Sequence, residues 1–224
     1  MSTNIVVSRY KKNVDWVYKI NDNINKIFIY DKENPENKYN VPVNKGNEAS
    51  VFLKYIIDHY ENLSEYTFFV HDEEYAWHHS GSIIDKYNEA VCSKKMYYNI
   101  NDCALMSEEF IIIAVHSEMV WNYFWLWYDV FIEPYIKKDS LPNIDFTRNH
   151  RGGAQFLVHR KLILNLPKCF YENLYNWIIT TELDNSLSGR FLEWTWHIFW
   201  DIYPNQISST LTSSSDSIIN DSVL

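Results

Sequence analysis

Tyr66-Thr-Phe-Phe-Val70, followed at once by His71-Asp72-Glu73-Glu74, decides how this chain is read. An unbroken run of aromatic and β-branched residues is the pattern of a strand covered on both faces, and the abrupt polar cluster marks its C-terminal end. Carboxylates then lie just past the carboxyl edge of a central strand, where open α/β sheets bind ligands. Upstream, Asn4-Ile-Val-Val-Ser-Arg-Tyr10 reads as an opening strand, Val14 to Ile20 has helix-like spacing, and Lys26-Ile-Phe-Ile-Tyr-Asp31 reads as a second buried strand. A polar loop from Lys32 to Lys45 leads to a helix over Glu48 to Glu61, with apolar residues at 52, 53, 56, 57 and 60. Downstream, helices and loops fill 82 to 140, Gly152-Gly153 enters a strand ending at His159, and Pro167 opens a helix to about Thr180. A last helix runs from Gly189 to about Trp200 and stops before Pro204. The alternation predicts an α/β fold: a single domain over residues 1–205 with a mostly parallel central sheet flanked by helices. Residues 206–224 are Ser/Thr-rich without an aromatic residue and read as a disordered tail.

Composition narrows the function classes. Of 224 residues, 46% are hydrophobic and 17% aromatic, enough for a large core. Only 5 glycines are present, and neither G-x-G-x-x-G nor G-x-x-x-x-G-K-[ST] occurs, so a classical dinucleotide fold or a P-loop is not expected. The formal charge of -9 argues against nucleic acid as a partner. Three cysteines without C-x-x-C spacing indicate neither a disulfide framework nor a Cys-rich zinc site, and together with an N-terminus unlike a signal peptide they suggest a cytoplasmic protein. The most apolar stretch, Phe110 to Ile136, is interrupted by His116, Glu118, Asn122 and Asp129 and reads as a core helix, so no membrane span is expected.

Three constellations could carry chemistry. Asp72 and Glu74 are two apart, so in an extended backbone they point the same way and can share a divalent cation through oxygen ligands. The same residues also suit a solvated acidic turn, and the neighbouring Trp77-His78-His79 could be ordinary loop residues. In the last helix Arg190, Glu193 and His197 are spaced i, i+3, i+7 on one face. Glu193 and His197 there could be a general base and a metal ligand, or Arg190 and Glu193 a buried ion pair capped by a core histidine. Gly152-Gly153 permits close approach of a backbone or a sugar ring, or simply a tight turn.

In this order the pieces resemble a family known only as a domain of unknown function, widespread in fungi and also found in large DNA viruses. The resemblance rests on Val6-Val-Ser-Arg-Tyr10 with Trp16, Ile29-Tyr-Asp31, Asn47-Glu-Ala49, Phe69-Val-His-Asp72 with Trp77-His78, Gly153-Ala-Gln-Phe-Leu-Val158, Phe170-Tyr171 with Trp177, and Ser188-Gly-Arg-Phe-Leu-Glu-Trp-Thr-Trp-His197. It spans nearly all of residues 4 to 200. The chain departs from the family at Lys11-Lys12, often Asn-Glu, and at Gly152-Gly153, often cysteines. The family in turn looks like GT-A glycosyltransferases, with an opening strand ending in a polar pair, an acidic motif after a central strand and a late acidic helix.

That likeness implies a metal-dependent glycosyltransferase acting on a nucleotide-sugar donor and a carbohydrate or other hydroxyl acceptor. Arg9, Tyr10, Asp31 and Gly153 would then line the donor pocket. Asp72, Glu74 and His197 would hold Mn2+ or Mg2+, Glu193 would deprotonate the acceptor, and Trp77, His78 and His79 would face it. Two alternatives stay open: a metal-dependent hydrolase built on His71, Asp72, His78 and His79, and a noncatalytic carbohydrate-binding module.

Overall fold

The computed structural model describes residues 2–20, 23–102, 118–138 and 153–200. The expectations for Phe110 to Ser117, for Gly152 and for the tail over 206–224 lie outside these residues.

Five strands form one sheet in the order β2-β1-β3-β5-β4: β1 Thr3–Arg9, β2 Ile24–Asp31, β3 Tyr66–His71, β4 Tyr97–Asn99 and β5 Phe156–His159. The central β1 is buried from Thr3 to Ser8, and its side chains alternate between two cores. Val6 joins one with Phe28, Phe69, Phe156 and Val158, while Ile5 and Val7 join the other with Phe68, Val70 and Leu157. Period-2 alternation with apolar residues on both faces is what makes such strands continuous apolar runs.

The larger core lies under helices α1 (Ala49–His59), α3 (Glu118–Phe131), α5 (Lys168–Thr180), α6 (Asn185–Glu193) and α7 (Trp196–Trp200). Phe52 of α1 packs against Phe69 with ring centroids 4.9 Å apart and also meets Phe156 and Trp196. Truncating such a fully buried ring costs about 3–5 kcal/mol. The other face is covered by α2 (Ile83–Ser93) and by a 3-10 turn, Asp15–Lys19, in place of the expected longer helix. A short helix α4 (Arg160–Leu164) follows β5.

Two expectations need correction. The sheet is mixed rather than mostly parallel: β1 runs parallel to β2 and β3, but β5 is antiparallel to both β3 and β4. An apolar run reads alike in either direction, and the three residues of β4 are too few to display a period. Nor is the final helix continuous. Trp194 and Thr195 separate α6 from α7, and the Thr195 hydroxyl donates to the Phe191 carbonyl at 2.9 Å. Hydroxyls that bond back onto the preceding turn bend helices. His197 therefore belongs to a different helix from Arg190 and Glu193.

The topology singles out one edge. The chain leaves β1 for β2 on one side and returns to β3 on the other, so the order reverses between β1 and β3. Crevices at such reversals, outside the carboxyl ends of the strands, are where these sheets take ligands. Arg9, Asp31 and His71 end the three parallel strands at that edge, with Arg9 opposite Asp31 and Ser8 opposite His71. Because β5 runs the other way, it begins there, and the Gln155 amide oxygen accepts the His71 N–H at 3.1 Å.

Candidate functional site

The ends of β1 and β3 are fastened together. The Tyr10 N–H donates to Asp72 Oδ2 at 2.6 Å, and the Trp16 indole donates to the Asp72 carbonyl at 3.3 Å. Arg9 pairs with the buried Asp31 carboxylate, and its Nε donates to the Lys12 carbonyl at 2.9 Å. The turn that follows passes through Lys11 at φ 65°. Lys32 donates to the Asn47 carbonyl at 3.0 Å, with its ammonium 5.7 Å from the centre of the Tyr10 ring.

Beside this edge lie two carboxyl groups embedded in protein. Glu48 stands just before α1 and is buried, with His71 Nε2 3.5 Å from its Oε2. Glu193, the last residue of α6, is densely surrounded and only partly exposed. Two glycines bring it there. Gly189 lets α6 settle on the loop before α1, since a Cβ would lie 3.0 Å from the Asn47 amide nitrogen and 3.1 Å from the Gly46 carbonyl. The Gly153 N–H donates to the Glu193 carbonyl at 3.1 Å. Gly153 sits at φ +108°, and a Cβ would meet the Asn101 side chain at 2.7 Å, so it is a side chain that the missing Cβ admits.

Burial dominates the electrostatics. It pushes the Glu193 carboxyl up to about 8, helped by the negative charge of Glu48 and opposed by Arg190. Burial likewise lifts Glu48 to about 7, against its own backbone hydrogen bond and Lys32. Two such carboxyls share protons as a pair. His71 is lowered to about 4 by burial despite Asp72, and His78 to about 4 by burial and then by His71, so both are neutral at pH 7. Burial also lowers Lys32, with Glu48 and Asp72 opposing. Glu48 Oε1, His71 Nε2 and Gln155 Nε2 are buried without a hydrogen-bond partner among the described residues. Unsatisfied polar atoms are rare inside proteins and call for a water or a ligand.

The chain is matched by the family model described as "Protein of unknown function (DUF3431)" over residues 5–213. It belongs to the DUF3431 family. No curated protein and no solved structure matches it.

In this DUF3431 chain the backbone bends at Asp72 and again at Glu74, so the two carboxylates do not continue an extended strand as the spacing suggested. Glu74 accepts from the Ser82 hydroxyl at 3.0 Å, at the N-cap of α2, and forms a loose ion pair with Lys19 at 3.7 Å. Glu73 pairs with Lys12 at 3.0 Å. Both Asp72 and Glu74 line one open hollow of about 520 Å³. Carboxylate oxygens are the donors that Mg2+ and Mn2+ prefer, and two of them leave the rest of a coordination shell to phosphate and water. His197 is buried on α7, and among the described residues no three His, Cys, Asp or Glu side chains gather as a metal-holding group.

Trp77 is 73% exposed and lies over His78 with ring centroids 4.0 Å apart, and His78 meets His71 edge-on at 4.9 Å. His79 is buried, next to a latch in which Ser80 donates to Asp102 through its N–H and hydroxyl. The structure thus brings Arg9, Tyr10, Asp31 and Asp72 to one edge, sets Gly153 on Glu193, and stacks Trp77 on His78. Sequence reasoning missed Glu48, Lys32 and Gln155. Asn47-Glu48-Ala49 was visible as a helix start, but nothing local distinguishes a buried glutamate from an ordinary first-turn acid.

Proposed function

We propose that this DUF3431 protein is a glycosyltransferase that moves a sugar from a nucleotide-sugar donor to a hydroxyl acceptor, with the crevice between β1 and β3 as its active site. The observation that carries the reading is the placement of two embedded carboxyls, Glu48 and Glu193, beside the carboxyl edge of the sheet where strand order reverses, with burial raising both above the ordinary carboxyl range. Buried, strongly shifted carboxyls beside a topological reversal are candidates for a functional site.

The donor's nucleotide lies along the end of β1, against Arg9, Tyr10 and Asp31. Asp72 and Glu74 would hold a Mn2+ or Mg2+ ion, which when bound offsets the charge that grows on the departing diphosphate. Glu193 in its ionised form takes the proton of the acceptor hydroxyl. The acceptor oxygen then forms its bond to the anomeric carbon as the bond to the diphosphate oxygen breaks, and that oxygen keeps the electron pair. A base with its pKa near the working pH is suited to this transfer.

Calorimetric titration of UDP and of GDP, each with Mn2+ and again with EDTA, tests the site. Tighter binding with Mn2+ that is lost in Asp72→Asn supports it. Equal affinity in both conditions removes the metal, and no binding of either nucleotide removes the transferase reading.

A further inference from the structure

Among the described residues, four of the five exposed aromatic side chains gather at one place, the fifth being Tyr123 on α3. Tyr10, Tyr18, Tyr75 and Trp77 are all well exposed, Tyr75 at 68%, and all come from the two loops that follow β1 and β3. Tyr75 and the buried Trp16 line the hollow that contains Asp72 and Glu74, and Trp77 stands two residues beyond Tyr75 with its ring braced by His78. Solvent-exposed rings held by a neighbouring ring have little conformational freedom to lose on binding, which suits them to receive a flat apolar face.

The polar lining has its own pattern. Lys12 with Glu73 and Lys19 with Glu74 set an ammonium beside a carboxylate twice on the hollow's wall. A sugar hydroxyl both donates and accepts, so adjacent donors and acceptors satisfy it in any orientation. Asp15 and Asp72 line the same hollow beyond these pairs, which leaves the wall net negative. With no cation bound at Asp72 and Glu74, phosphorylated, sulfated and uronate sugars are repelled from such a surface.

We propose that this hollow with its aromatic rim is the acceptor site, and that the acceptor is an uncharged oligosaccharide bound over several sugar units by stacking on Tyr75 and Trp77. The word acceptor rests on the transferase reading; the binding of a neutral glycan does not. Pairing of hydroxyls with the two lysine–glutamate pairs sets the orientation, and the stacked rings supply most of the affinity.

The test is a titration of the full chain, in EDTA and without nucleotide, with hexasaccharides of cellulose, chitin and α-mannan and with hexagalacturonate as the anionic arm, read by tryptophan fluorescence and calorimetry. At least one neutral hexasaccharide is expected to bind, with affinity falling roughly tenfold in Tyr75→Ala and in Trp77→Ala. Tyr123→Ala, exposed on α3, is the control and leaves binding unchanged. Failure of every neutral hexasaccharide to bind, binding indifferent to both substitutions, or preference for hexagalacturonate overturns the proposal. Failure of the transferase reading shows separately, as absent nucleotide binding in a protein that still binds the neutral glycan.

Discussion

The backbone N–H of Tyr10 donates to the Asp72 carboxylate at 2.6 Å, so the loop after β1 and the loop after β3 are held by one charge-assisted hydrogen bond across the point where strand order reverses. The bond makes Asp72 both a structural tie and a candidate ligand, and the two roles respond differently to substitution.

Asp72→Asn keeps an acceptor for Tyr10 but loses the charge. Its stability is expected to stay within about 1 kcal/mol of wild type, whereas Asp72→Ala, which removes the acceptor, costs about 1.5–3 kcal/mol. Both lose Mn2+-dependent nucleotide affinity. Urea denaturation beside calorimetry separates the roles, and an Asn variant that binds nucleotide and Mn2+ normally would show that the tie is the whole function of Asp72.

Glu193→Gln separates catalysis from architecture. Burial and Glu48 already hold Glu193 toward its neutral form against the pull of Arg190, so a neutral amide of the same shape is expected to fold with near-normal stability at pH 7. Transfer falls by ~10²–10⁴-fold, with donor affinity little changed. A loss on the order of 3–5 kcal/mol would instead mark a buried ion pair with Arg190 as its main role.

The same carboxyl makes stability depend on pH. The folded value of about 8 lies above the ordinary 4.5, so the folded state holds its proton more tightly. The contribution is fully present below 4.5 and is lost as pH rises through about 8. Wild type is therefore expected to lose stability relative to Glu193→Gln as pH rises from about 4.5 to about 8 and to level off above that, and parallel urea midpoints for the two proteins would contradict the raised value.

His71 acts in the opposite direction. Its folded value, lowered to about 4, lies below the ordinary 6.5, so stability is present above 6.5 and declines as pH falls toward 4. Nitrogen-detected NMR is expected to show a neutral His71 ring at pH 6; a charged ring there would mean that Glu48 holds an imidazolium.

Gly189→Ala places a methyl 3.0–3.2 Å from Asn47 and the Gly46 carbonyl, where backbone cannot give way. The expected cost is about 1–3 kcal/mol. Because α6 carries Glu193, kcat falls more than donor affinity does. Gly81→Ala is the contrast: its Cβ meets nothing within 4 Å, and only the φ of +78° opposes it.

What could be read without the fold was local. Ile5, Val6 and Val7, and Phe68, Phe69 and Val70, show strands buried on both faces, and the abrupt stop at His71-Asp72 locates the carboxyl edge, because burial on two faces leaves no room for polar residues until a strand ends. That Arg9, Tyr10 and Asp72 lie near one another follows from the parallel pairing of β1 with β3. The direction of β5, the break between α6 and α7, and the pairing of Glu48 with Glu193 were decided only in three dimensions. Strand direction leaves no trace in a short apolar run, and the Thr195 hydroxyl, which bonds back to the Phe191 carbonyl at the break, takes a partner set by the packing around it. Glu48 and Glu193 become an interacting pair because Gly189 lacks the atom that would hold α6 off the loop before α1, and the absence of a side chain acquires that meaning only when something else fills the space.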